Sequence, residues 1–179
     1  MTVFISGGCK NGKSSLAQRL AVTLSERRKR YYVATMIPAD QEDHARVARH
    51  VRDRAGLGFS TIECGRQILD SLAGADREGC FLLDSVTALL ANEMFRPDGT
   101  VDLNAPERVA EQLRRFSAEV RDAVFVSDYL YSEAGIFEEL TERYRQGLAH
   151  TDRALAACCD VVVEVCAGRC TVHKGVLPL

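Results

Sequence analysis

The first fifteen residues contain the run Gly7-Gly8-Cys9-Lys10-Asn11-Gly12-Lys13-Ser14, which has the types and spacing of a phosphate-binding loop. Glycines at 7, 8 and 12 let successive backbone N–H groups curl toward an anion, and a helix starting at Ser14 adds its positive N-terminal end. Lys13 is then placed to neutralise the outer phosphates of a nucleoside triphosphate, while the Ser14 hydroxyl reaches Mg2+. Such a site also needs a carboxylate at the end of a nearby buried strand. Two aspartates qualify: Asp84 follows Cys80-Phe81-Leu82-Leu83 directly, and Asp128 follows Val124-Phe125-Val126-Ser127. Asp84 is preferred because no polar residue separates it from the apolar run.

A second chemical segment runs from His44 to Arg54. On a helix Arg46, His50 and Arg54 are four apart and form one stripe, with Val47 and Val51 on an apolar stripe beside it. Imidazole is a nucleophile, and guanidinium groups around it attract phosphates. Spacing alone fits a solvated basic helix face as well as a nucleophilic His50. His44, His150 and His173 lack this setting.

The elements that must position these groups alternate between strand and helix patterns. Val3–Ser6 precedes a helix from Ser14 to Arg28, and Tyr31–Ala34 precedes one from Gln41 to Ala55. A strand Phe59–Ile62 leads to a helix Arg66–Ala73, and Cys80–Leu83 leads to a helix reaching Phe95. Arg96-Pro97-Asp98-Gly99-Thr100 reads as a turn. A helix Pro106–Val120 precedes Ala123–Val126, and a long helix Ser132–Cys159 precedes Val161–Val165. Ala167-Gly168-Arg169 then turns a terminal hairpin. This rhythm predicts an α/β fold: one domain over residues 1–179, with a mostly parallel sheet and helices on both faces.

A chain of 179 residues buries one continuous core. Its net charge of −2 argues against a broad nucleic-acid surface, which needs a basic excess. Apolar runs are too short to span a bilayer, and no charged leader precedes a long apolar run, so a cytoplasmic location is expected. Seven scattered cysteines without a Cys-x2-Cys pair do not form a disulfide framework. Cys166, Cys170 and His173 would give three metal ligands without a fourth, so metal binding is not expected there. Cys9 stands apart as a thiol inside a phosphate loop beside a helix N-terminus.

Taken in order, Gly7–Ser14, Tyr32-Val33-Ala34-Thr35, Arg46–His50 with Arg54, Thr61-Ile62-Glu63, and Asp84 with Thr87 and Asn92 resemble a known family. It is the bifunctional adenosylcobinamide kinase/adenosylcobinamide-phosphate guanylyltransferases of cobalamin biosynthesis. The resemblance implies a RecA-like P-loop fold, Mg2+, ATP and GTP as substrates, a corrinoid acceptor and a homo-oligomer, a trimer in that family. It implies that His50 is the nucleophile that becomes guanylylated. It also implies guanine-nucleotide contacts at Gly7, Gly8, Cys9, Lys10, Asn11, Gly12, Lys13 and Ser14. Further contacts are implied at Ala34, Thr35 and Met36, at Val51, Arg52, Asp53 and Arg54, and at Glu63 and Asp84. The second half departs from the family pattern. A glycine-rich loop is expected after the Val124 strand, but Ser127–Phe137 reads Ser-Asp-Tyr-Leu-Tyr-Ser-Glu-Ala-Gly-Ile-Phe, and the later helix has His150-Thr151-Asp152-Arg153 in place of an Asn-Gln pair. A P-loop kinase with another acceptor and a non-catalytic nucleotide-binding relative remain as alternatives.

Overall fold

In the computed structural model residues 1–178 are described; Leu179 and the side chain of Arg46 lie outside the described residues. Seven strands form one sheet: β1 (Thr2–Gly7), β2 (Arg30–Ala34), β3 (Phe59–Glu63), β4 (Cys80–Asp84), β5 (Asp122–Asp128), β6 (Val161–Cys166) and β7 (Arg169–Lys174). Their spatial order is β3-β2-β4-β5-β1-β6-β7, and among the described residues only the β6–β7 pair is antiparallel. Apolar runs such as Val3-Phe4-Ile5 and Phe81-Leu82-Leu83 are fully buried, as expected for strands covered on both faces.

Alternation along the strands sorts the core into two layers. Val3, Ile5, Leu82, Val124 and Val126 pack with Leu16, Ala17 and Leu20 of α1 (Lys13–Ser25). Phe4, Phe81, Leu83 and Phe125 face the other way. Their partners lie on α3 (Val86–Met94), α4 (Ala105–Glu119) and α5 (Glu139–Cys158). On that second face Phe116 meets Phe81 and Phe125 edge-on, at centroid distances of 5.5 and 5.9 Å.

Several boundaries differ from the pattern-based expectation, each for a local reason. The segment expected as a helix over Arg66–Ala73 is a 3-10 turn at Ile68–Leu72, entered through Gln67 with φ 48° and held by a hydrogen bond from the Gln67 N–H to Glu93 Oε1 (2.6 Å). The helix expected from Ser132 starts only at Glu139; before it come a 3-10 turn at Leu130–Ser132 and an extended stretch. Arg145 ties this stretch to α5. Its guanidinium donates to the carbonyls of Leu130 (3.2 Å), Tyr131 (3.3 Å) and Glu133 (2.5 Å), and it stacks 3.9 Å from the Phe137 ring centroid. These bonds satisfy carbonyls of the non-helical backbone that no helix ladder covers. The terminal hairpin forms as expected, with Ala167 (φ 48°) and Gly168 (φ 74°) giving the two left-handed residues of a tight turn.

Candidate active site

All the candidate strand-end residues lie along one edge of the sheet, because the parallel register aligns the carboxyl ends. Glu63 pairs with Ala34, Ala34 with Asp84, and Gly7 with both Asp128 and Val165. The phosphate loop leaves β1 at this edge and enters α1 through Gly12, whose left-handed φ of 91° suits glycine. Gly7 is closed in for a second reason: a Cβ there would lie 2.4 Å from the Val165 carbonyl oxygen. Cys9 and Lys10 are exposed on the loop.

Lys13 is not the exposed cation that a loop position suggests. It is 5% exposed, and its Nζ donates to the Gly8 carbonyl and to Asp128 Oδ1, both at 2.6 Å. β1 lies between β5 and β6, so Asp128 at the end of β5 is beside the loop, while Asp84 stands one strand further along the same edge. Asp128 is fixed in turn by its own N–H, which donates to Thr87 Oγ1 (2.8 Å).

Asp84 sits in a different frame. The Tyr32 hydroxyl donates to its Oδ2 (3.0 Å), and the Arg54 guanidinium stacks 4.1 Å from the Tyr32 ring centroid while donating to Thr61 Oγ1 (3.0 Å). Thr35 and Ser85 exchange two hydrogen bonds: Thr35 Oγ1 donates to the Ser85 carbonyl (2.8 Å), and the Ser85 N–H donates to Thr35 Oγ1 (2.7 Å). Asn92 Nδ2 ties Thr35 and Gly65 together through their carbonyls at 2.7 and 2.9 Å. Thr35, Thr87 and Asn92 therefore brace the strand ends. Met36 follows them half-buried, and Glu63 is exposed.

The basic helix forms as α2 (Gln41–Asp53), capped by Asp40, which accepts from the Asp43 N–H (2.9 Å). The expected stripe does not survive intact. Arg54 lies past the last helical turn and turns inward to Tyr32 and Thr61, so it is buried rather than aligned with His50. The side chain of Arg46 lies outside the described residues. Val51 is 47% exposed, so the valine stripe does not enter the core. His50 is half-buried on the last turn, flanked by exposed Arg49, Arg52 and Asp53.

Sequence reasoning missed a third group beside the loop. Asp152 of α5 is 2% exposed; Tyr131 donates to its Oδ2 (3.1 Å), whereas its Oδ1 and the buried Ser6 Oγ have no hydrogen-bond partner among the described residues. Burial pushes the Asp152 carboxyl up to about 7, the charge of Asp128 adds to the rise, and the Ser127 and Tyr131 hydroxyls pull it back. The signal was present in the sequence: an aspartate at 152 falls on the helical face defined by Leu148 and Leu155, both buried.

A glycine-rich loop at the carboxyl edge of a parallel sheet, with a buried lysine and strand-end carboxylates, defines a RecA-like P-loop fold. The RadB recombinase shares the fold with a TM-score of 0.53 at 16% identity, over 99% of this chain and 82% of that one. A solved structure from Pyrococcus horikoshii does so with 0.55 at 9%, over 98% and 86%. Residues 3–172 match the model of the cobinamide kinase / cobinamide phosphate guanyltransferase family, and the chain belongs to that family, which places it in cobalamin biosynthesis. The bifunctional adenosylcobalamin biosynthesis protein CobP of Pseudomonas aeruginosa is 28% identical over 176 residues, 98% of either chain. Among the described residues no helix is long and apolar enough to cross a membrane.

Proposed function

We propose that the chain carries out both reactions in its family's name, phosphorylating adenosylcobinamide with ATP or GTP and then transferring GMP to the phosphorylated product. The observation that carries this is the buried Lys13, held at the phosphate loop by Asp128 on the adjacent strand, in a chain of this family. In the kinase step the N–H groups of the loop and Lys13 bind the outer phosphates. The acceptor hydroxyl attacks the terminal phosphorus, and the bond to the bridging oxygen breaks. A triphosphate displaces the Lys13 ammonium from Asp128, which leaves that carboxylate at the edge where the hydroxyl arrives.

Ser14 and Asp84 fit Mg2+, which takes oxygen ligands from one or two carboxylates together with substrate phosphates and water. The Tyr32 hydroxyl donates to Asp84 Oδ2, and Asp84 is half-buried at the edge. When bound, the ion supplies charge neutralisation across the phosphates.

In the guanylyl step an imidazole nitrogen of His50 attacks the α-phosphorus of GTP, pyrophosphate leaves, and a phosphate oxygen of the acceptor then displaces the imidazole. Splitting the transfer through a covalent intermediate replaces one difficult displacement with two easier ones. Ala34, Thr35, Met36, Val51, Arg52, Asp53, Arg54 and Glu63 surround the guanine nucleotide in this reading, and the chain works as a homotrimer. Helix α2 supports it by offering His50 with exposed Arg49 and Arg52 beside it.

The test uses GTP labelled at the α-phosphate. Label is expected on the protein, with pyrophosphate released, in an acid-labile and base-stable bond. His50→Ala abolishes labelling, His44→Ala retains it, and terminal-phosphate transfer persists in both. Labelling of the His50 variant at the wild-type level refutes the guanylyl half. A kinase with a different acceptor is favoured by one feature: the segment after β5 is shaped by Arg145 and presents a fully exposed Ile136 where the family pattern has a glycine-rich loop. Turnover with small alcohols but not with adenosylcobinamide would establish that second reading.

A further inference from the structure

On the α5 face of β1, opposite the α1 layer, lies an open cavity of about 230 Å³. It is smaller than a drug-sized pocket, and at roughly 30 Å³ per water it holds a ligand of a few heavy atoms. Its walls divide by chemistry. Phe4, Ala156 and Val162 give an apolar side, and Ser6, Tyr131 and Asp152 give a polar one. The polar side holds acceptors set just beneath the cavity wall, since Asp152 Oδ1 and Ser6 Oγ have almost no exposed surface. Tyr131 has committed its proton to Asp152 Oδ2, which leaves the lone pairs of its oxygen, while Asp152 Oδ1 and Ser6 Oγ have no partner among the described residues. Asp152 is 2% exposed, and no cation is bonded to it among the described residues; burying a carboxylate this way is unfavourable unless a charge partner arrives.

We propose that this cavity is a binding site for a small primary alkylammonium ligand. Its ammonium group lies at the polar side, where rotation of the Ser6 and Asp152 side chains opens their oxygens to its N–H donors beside the Tyr131 oxygen, and its short alkyl group lies against Phe4, Ala156 and Val162. A neutral alcohol has one donor for these acceptors and no charge for the carboxylate; a quaternary ammonium has the charge and no donor. The site is separate from the phosphates but touches their loop, since the Tyr129 N–H donates to the Gly7 carbonyl (3.3 Å) and Tyr129 also lines the cavity.

The charged and titratable groups around Asp152 set the pH dependence. Asp128 on β5 and Glu164 on β6 are negative, and His173 Nε2 on β7 lies 3.0 Å from Glu164 Oε2. Arg153 is at the exposed rim of α5, and Tyr129, Tyr131 and Tyr144 are phenols whose ionisation burial pushes upward. The ligand binds the ionised carboxylate, so affinity falls as Asp152 takes up its proton. With that proton leaving at about 7, binding is about 30-fold weaker at pH 5.5 than at pH 8.

The test is a titration of the full chain, without nucleotide, with n-propylammonium chloride at pH 8. Amide chemical shifts and the melting temperature are recorded, with sodium chloride, n-propanol and tetramethylammonium chloride as matched comparators. Saturable shifts at Ser6, Tyr131 and Asp152 are expected, with a rise in melting temperature. Binding of n-propanol and tetramethylammonium is at least about tenfold weaker, and Asp152→Asn loses the same factor. Absence of saturable binding, equal binding of n-propanol, or an Asp152→Asn variant that binds like wild type overturns the proposal; the first outcome means the cavity holds only water. If the variant does not fold, the propanol comparison and the loss between pH 8 and 5.5 in the wild-type chain decide it alone. No nucleotide is present, so the result is independent of GTP labelling at His50.

Discussion

Replacing Asp152 with Asn should make the chain more resistant to unfolding at alkaline pH, although it removes a charged group beside the phosphate loop. The folded chain holds the Asp152 proton until about 7, against an ordinary value of 3.8. Between those values the unfolded chain binds fewer protons than the folded one, so stability falls as pH rises and levels off above about 7. The full gap corresponds to about 4 kcal/mol, of which about 2.5 kcal/mol accumulates between pH 5 and pH 8. Asn keeps an acceptor for Tyr131 and has no charge to bury. Urea unfolding of wild type and variant at pH 5 and pH 8 isolates this group, because the other titrations are common to both proteins. Wild type should lose about 2.5 kcal/mol more than the variant over that interval, equivalent to roughly 5–10 °C in melting temperature for a domain of this size. Profiles that run parallel to within about 0.5 kcal/mol refute the reasoning, since they mean that Asp152 is solvated or already paired in the folded chain.

Lys13→Ala should weaken GTP binding by about tenfold to a hundredfold in a calorimetric titration, the loss of a charge-assisted contact, while the melting transition stays cooperative. Unchanged affinity would remove the phosphate role from this loop. Asp84→Asn should depress Mg2+-dependent turnover with GTP still bound, whereas Asp128→Asn should tighten metal-free GTP binding severalfold, because Lys13 is released from its 2.6 Å partner. If Asp128→Asn gives the turnover phenotype and Asp84→Asn does not, the metal carboxylate stands on β5.

The parallel strands, the phosphate loop and the terminal hairpin were legible in the sequence because each depends on local chemistry. Apolar runs of buried strands, glycines at the loop and an Ala-Gly turn declare themselves within a few residues. The edge carboxylates were legible as a pair but not in their arrangement. Whether Asp84 or Asp128 stands beside β1 depends on strand order, and β5 comes between β4 and β1 although it lies nearly forty residues later in the chain than Asp84. Helix periodicity misplaced Arg54 for a related reason. Spacing by four holds only while the helix continues, and α2 stops at Asp53, where the Tyr32 face offers the guanidinium a better partner than solvent.

The segment after β5 was the least legible, and its physics explains why. Between Tyr129 and Glu138 the backbone has neither an apolar period nor a helix cap to organise it, and three of its carbonyls are held by Arg145, 12 to 15 residues away on α5. The same helix carries Asp152 two turns further on, so α5 both shapes the loop and supplies the carboxylate beneath it. Tyr131 joins the two: its carbonyl is held by Arg145 and its hydroxyl by Asp152. Ser127–Phe137 and His150–Arg153, the two stretches read from the sequence as departing from the resembled family, therefore touch one another through Tyr131 and Asp152. A change in the loop without the carboxylate at position 152 would leave Tyr131 without its charged acceptor. The two stretches meet at the cavity beside Ser6, which Tyr131 and Asp152 both line, apart from Lys13, Asp128 and Asp84.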